Sequence, residues 1–156
     1  MDRPSHAEKE RDPAYLIAAA IEAEKKAAWF YNMMAEMTSD DVAQNTLKGL
    51  ADDEVSHAQT LTNLYFEITG HGVIEPPSVA PEGEPNLFDF PSTSRRAALE
   101  FALKNEIKAA EFYQSQASAC DSPRQAGIFR QLVDTEREHA AYMRLQLSRL
   151  EGSTEH

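Results

Sequence analysis

One set of residues occurs twice in this chain, with every member displaced by 82 positions. Glu24, Tyr31, Glu54 and His57 in the first half answer to Glu106, Tyr113, Glu136 and His139 in the second. The surrounding text repeats as well. Glu24-Lys25-Lys26-Ala27-Ala28-Trp29-Phe30-Tyr31 matches Glu106-Ile107-Lys108-Ala109-Ala110-Glu111-Phe112-Tyr113, and Asp53-Glu54-Val55-Ser56-His57-Ala58 matches Thr135-Glu136-Arg137-Glu138-His139-Ala140. Two structural units of the same design are therefore expected, each with two carboxylates and one imidazole at fixed spacing. Four carboxylates and two imidazoles in matched sets suit a two-metal site inside a four-helix bundle.

The periodicity places these residues. Ile17, Ile21, Glu24, Ala28, Tyr31 and Ala35 form one helical stripe, and Leu47, Leu50, Glu54, His57, Leu61, Leu64 and Ile68 form a second. Leu99, Leu103, Glu106, Ala110, Tyr113 and Ala117 form a third; Phe129, Leu132, Glu136, His139, Met143 and Leu150 form a fourth. In each case the ionisable residues fall inside the apolar stripe, where an uncompensated carboxylate would be costly. Two divalent cations would neutralise four carboxylates. The Glu-x-x-His spacing presents an oxygen and a nitrogen from one helical face, and such a mixed donor set suits iron or manganese, with zinc also chemically admissible.

The expected fold is all-α: two antiparallel helical hairpins joined by a long crossover, the ferritin-like arrangement of a four-helix bundle. Asp12 and Pro13 begin the first helix, which runs to about Met37. Ser39-Asp40-Asp41 opens the second, which runs to Thr69 before Gly70 and Gly72. The third starts at Ser92-Thr93-Ser94 and runs to about Ala119; the fourth starts at Pro123 and ends near Leu150. Glu24 and Glu54 are each about 15 residues, hence roughly 22 Å, from the turn near residue 39, so they lie at the same height. Glu106 and Glu136 stand in the same relation to the turn near 121. A single domain spanning 1–156 is expected, with residues 1–12 as a tail, 13–69 and 93–151 as hairpins, and 70–92 as the crossover. Five of the eight prolines fall in that crossover, and Leu87, Phe88 and Phe90 are candidates for pinning it.

Composition excludes several classes. The net charge of −11 opposes binding to nucleic acid or to an anionic membrane. No apolar run approaches the roughly 20 residues a membrane span needs, and no signal region opens the chain, so a cytoplasmic location is expected. Cys120 is the sole cysteine, which rules out an internal disulfide and a Cys-x-x-Cys metal site. Trp29, Phe30, Phe112, Met33, Met34 and Met37 read as packing or interface residues. Glu22, Glu36, Glu111 and Glu138 read as solvated-face residues, with Glu111 or Glu138 a candidate ligand on an access route. His6, His71 and His156 fall in loops or tails.

The four blocks together resemble the rubrerythrin branch of the ferritin-like superfamily over roughly residues 13–150. The resemblance implies a di-iron centre that reacts with hydrogen peroxide or dioxygen. It implies that Glu54 and Glu136 bridge the two irons, that Glu24 and His57 are terminal ligands of one, and that Glu106 and His139 are terminal ligands of the other. Tyr31 and Tyr113 are candidates for hydrogen bonds to carboxylate ligands of the opposite hairpin, against the alternative of core tyrosines with satisfied hydroxyls. Two features depart from the pattern. The four-cysteine rubredoxin domain of rubrerythrins has no counterpart here, which implies an external electron-donor protein. The extra glutamate that follows the third-helix ligand by one turn is replaced by Ala109, leaving a symmetrical site like the ferroxidase centre of bacterioferritins. The expected function is an oxidoreductase reducing peroxide or dioxygen, with ferroxidase or iron handling as the alternative. A homodimer is the expected assembly.

Overall fold

The structure is a computed structural model, and it describes residues 12–73 and 94–152. These residues form four α-helices: α1 (Pro13–Glu36), α2 (Asp41–Thr69), α3 (Arg95–Ala119) and α4 (Pro123–Glu151). No strand occurs among them. The chain divides into two compact units, Met1–Ala80 and Pro81–His156. The first contains the α1–α2 hairpin and the second the α3–α4 hairpin.

Local chemistry sets the helix boundaries, and the 82-residue offset extends to them. Asp12, Asp40, Ser94 and Ser122 are the four N-caps, each pair separated by that offset. Their side-chain oxygens accept from the backbone N–H of Ala14 at 3.0 Å, Ala43 at 3.1 Å, Ala97 at 3.1 Å and Gln125 at 3.2 Å. Each cap satisfies a donor that the first helical turn leaves open. Gly70 ends α2 in the left-handed region at φ 77°, and its N–H donates to the Phe66 carbonyl at 2.8 Å. The repeat-related Gly152 ends α4 at φ −76°.

Both interhelical turns are short. In the first hairpin the Gln44 side chain reaches back across the turn and donates to the Ala35 carbonyl at 3.1 Å. Thr38 closes α1 by donating its hydroxyl to the Met34 carbonyl at 2.7 Å. In the second hairpin the Cys120 thiol lies 3.4 Å from Gln125 Oε1. These ties bring partner helices together antiparallel and in fixed register, so residues equidistant from the turn meet at one height.

The buried stripes follow the expected periodicity with three exceptions. Ile68, the penultimate residue of α2, is 43% exposed. Leu103 and Leu150 are only partly buried. Phe30 and Met34 are buried and act as packing residues, whereas Trp29 and Met37 face outward. The tail before Asp12, most of the proline-rich crossover, and Leu87, Phe88 and Phe90 lie outside the described residues.

Candidate metal centre

Glu24 enters from the middle of α1, and Glu54 and His57 from the middle of α2. All three are buried. Glu54 and His57 are three residues apart, so one helical face carries both. His57 Nδ1 lies 3.7 Å from Glu24 Oε2 and 3.8 Å from Glu54 Oε1. The second hairpin repeats the construction with Glu106 from α3 and Glu136 and His139 from α4, again all buried. His139 Nδ1 lies 3.5 Å from Glu106 Oε1. Within each hairpin the three residues each offer one donor atom, and these atoms lie within 4.8 Å of one another.

These separations fit a shared cation better than direct pairing. A nitrogen donating to a carboxylate sits about 2.7–2.9 Å away. Two donors each about 2.1 Å from one ion sit about 3.0–3.6 Å apart for bond angles between right and trigonal. The 3.5 Å separation in the second hairpin falls inside that range, and the 3.7 and 3.8 Å separations in the first fall just above it. Nδ1 is the ring nitrogen turned toward the carboxylates in both hairpins, so it is the atom available to an ion. The donors are hard oxygen and borderline nitrogen, without sulfur, which suits iron, manganese or zinc. Each hairpin therefore holds a buried carboxylate–histidine cluster able to bind a metal ion.

Tyr31 and Tyr113 are almost fully buried on the same stripes, two turns beyond Glu24 and Glu106. Tyr31 meets Phe30 edge-to-face at a centroid separation of 6.2 Å. Tyr113 meets Phe112 edge-to-face at 5.4 Å and stacks on Phe129 at 6.3 Å. Glu36, Glu111 and Glu138 are exposed and Glu22 is partly exposed, so none joins either cluster.

One buried polar residue stands outside the repeated pattern. Gln146 is buried on α4, and it is the only buried polar residue among the described ones outside the two clusters and the tyrosines. Its repeat-related counterpart is Leu64. That mismatch, visible in the offset alignment, was the available signal.

The chain matches the Ferritin-like domain family over residues 13–149. It belongs to that family. Its fold is accordingly the ferritin-like four-helix fold, with α1, α2, α3 and all but the last two residues of α4 inside the match. Among curated proteins it is similar to the uncharacterized protein YhjR of Bacillus subtilis (strain 168), at 25% identity over 84% of this chain and 85% of that one. Among solved structures it is similar to a hypothetical protein from Pyrococcus furiosus, with a TM-score of 0.77, 26% identity and 92% of each chain covered. It is also similar in fold to a bacterioferritin from Rhodobacter capsulatus, with a TM-score of 0.70 and 19% identity, over 96% of this chain and 89% of that one. That bacterioferritin structure is described as having a metal-free dinuclear site and a heme iron. No described helix of the present chain is long and apolar enough to cross a membrane.

Proposed function

We propose that this ferritin-like protein is a non-haem di-iron oxidoreductase that reduces hydrogen peroxide or dioxygen, with electrons from an external donor protein. The observation that carries the reading is duplication of a buried donor set: two carboxylates and one imidazole nitrogen converge within 4.8 Å in each hairpin. In the rubrerythrin pattern, Glu24 and His57 serve one ion, Glu106 and His139 the other, and Glu54 and Glu136 are shared. The two ferrous ions would each supply one of the two electrons needed to reduce peroxide to water.

The protein's own contribution is placement and exclusion. Burial of all six ligands keeps bulk water from competing for the ions. The carboxylates balance cationic charge that the apolar surroundings would otherwise reject. The Tyr31 and Tyr113 hydroxyls are assigned to orienting carboxylate ligands, which would give each a proton to hold near the reacting oxygen. No side chain is required as a nucleophile.

A ferroxidase or iron-handling role is the second reading, favoured by one feature. Ala27 and Ala109 occupy repeat-related positions one turn after Glu24 and Glu106, so both hairpins lack an additional carboxylate there. The readings separate in an anaerobic ferrous titration followed by rapid mixing with peroxide and, separately, with dioxygen. Two irons per chain, faster oxidation by peroxide, and iron retained after turnover are expected. Faster oxidation by dioxygen with iron then released would instead establish the ferroxidase, and no oxidation by either would refute both.

A further inference from the structure

The offset that makes the two clusters alike also shows where the approach to them differs. On α2 the residues that follow His57 along the buried stripe are Leu61 and Leu64. At the same positions of α4, His139 is followed by Met143 and Gln146. Leu61, Leu64 and Met143 are sealed in the interior, whereas Gln146 is 8% exposed. Its amide has no hydrogen-bond partner among the described residues and, unlike the ligand atoms of the clusters, is not wholly shut off from solvent. A nearly buried amide left without a partner is destabilising. The first hairpin fills this position with leucine, so the fold itself does not demand glutamine. Helical side chains lean toward the N-terminus of their helix, so Gln146 leans toward Met143 and Met143 toward His139. The two steps span about 10.5 Å of helix axis.

We infer that Gln146 is a specificity residue: it opens a polar entry for hydrogen peroxide toward the cluster of the second hairpin, and Met143 is the side chain that the oxidant must pass. A carboxamide offers both a donor and an acceptor. Hydrogen peroxide has O–H donors and lone pairs and uses both; dioxygen has no donor and is a poor acceptor. The entry therefore favours peroxide over dioxygen. Met143 is unbranched and flexible, so it yields to a small molecule without movement of the helix. The leucine pair of the first hairpin has neither property, so only one of the two matched clusters has such an approach. The meaning of the entry for turnover rests on the peroxide-reducing activity proposed above; the entry itself is measurable with no metal bound.

Peptide mass spectrometry of the metal-free full chain after exposure to hydrogen peroxide tests it. A thioether sulfur that takes one oxygen atom from peroxide becomes a sulfoxide and releases water, so Met143 reports arrival of the oxidant. Met143 should react although it is fully buried, with exposed Met37 as the reference. Gln146→Leu should slow the reaction at Met143 at least about tenfold and leave Met37 unchanged. Leucine is what the first hairpin already packs at this position, and circular dichroism checks that the variant folds. The bulkier tert-butyl hydroperoxide should oxidise Met37 and spare Met143. Equal reaction of both would mean that Met143 is reached by local unfolding, and would overturn the inference. So would a Met143 that stays protected in the wild type or reacts as fast in Gln146→Leu. In the iron-loaded protein, Gln146→Leu should lower the second-order rate with peroxide about tenfold and leave that with dioxygen unchanged. Iron-loaded protein inert to both oxidants, with the metal-free result intact, would refute the proposed activity and leave the entry standing.

Discussion

At the scale of single residues, the chain accepts an energetic penalty that the cation is expected to relieve. Glu54 and Glu136 are buried as deeply as the core leucines, and each has a second carboxylate and an imidazole of its own hairpin nearby. Removing the charge while keeping the shape should therefore affect the metal-free and metal-loaded proteins in opposite directions. Glu54→Gln should leave apo-protein no less stable, with a gain of about 1 kcal/mol or more, while lowering metal affinity by at least about tenfold. Thermal denaturation in chelator, paired with a metal titration, reads both effects; a loss of stability in chelator would contradict the argument. The tyrosines call for a different test, because their packing and their hydroxyls are separable. Tyr113→Phe preserves the stack on Phe129 and removes only the oxygen. If that oxygen orients a ligand, iron oxidation should slow about tenfold or more with two irons still bound. A purely structural hydroxyl would instead cost about 1 kcal/mol of stability and leave the oxidation rate unchanged.

At the scale of helices and hairpins, the internal repeat supplies matched controls. Gly70 and Gly152 both follow the last residue of a helix, but only Gly70 adopts the left-handed conformation. A Cβ at Gly70 would meet no atom within 4 Å, so backbone strain alone sets the cost of Gly70→Ala. That substitution should destabilise by about 1 kcal/mol, whereas Gly152→Ala should be neutral or slightly stabilising because its conformation suits any residue. Chemical denaturation of the two variants side by side decides this, and equal effects would refute it. The helix starts were legible in the sequence because capping is local: Asp12, Asp40 and Ser122 with Pro123 announce themselves within a few residues. The clustering of Glu24 with Glu54 and His57 was legible because a short turn turns equal distances along the chain into equal heights. Exposure was harder to read. Ile68 continues the apolar period but lies at a helix end, and Trp29 is a large apolar residue off the buried stripe. Such positions depend on what lies beyond the helix, which periodicity does not encode. Gln146 is hidden for the converse reason: it sits on a buried stripe where the period predicts an apolar residue.

At the scale of the whole molecule, duplication links stability to metal supply. Each hairpin carries a full set of one histidine and two glutamates, and the proposed dinuclear centre would require both sets. Ligands that bind only the folded chain stabilise it by about 2.7 kcal/mol for each site held at a hundredfold excess over its dissociation constant. Two ions would thus contribute about 5 kcal/mol, which for a chain of this size raises the melting temperature by roughly 10–20 °C. The gain should be obtained with ferrous iron or manganese and reversed by chelation. It should also be lost almost entirely when either His57 or His139 is changed to alanine, because either substitution breaks a shared centre. Two independent sites would behave differently, with each single variant keeping about half of the gain. Calorimetric scans of the wild type, the two single variants and the double variant, each with and without metal, therefore measure the coupling between the two sets. Near-complete loss in each single variant is the outcome that a shared dinuclear centre requires.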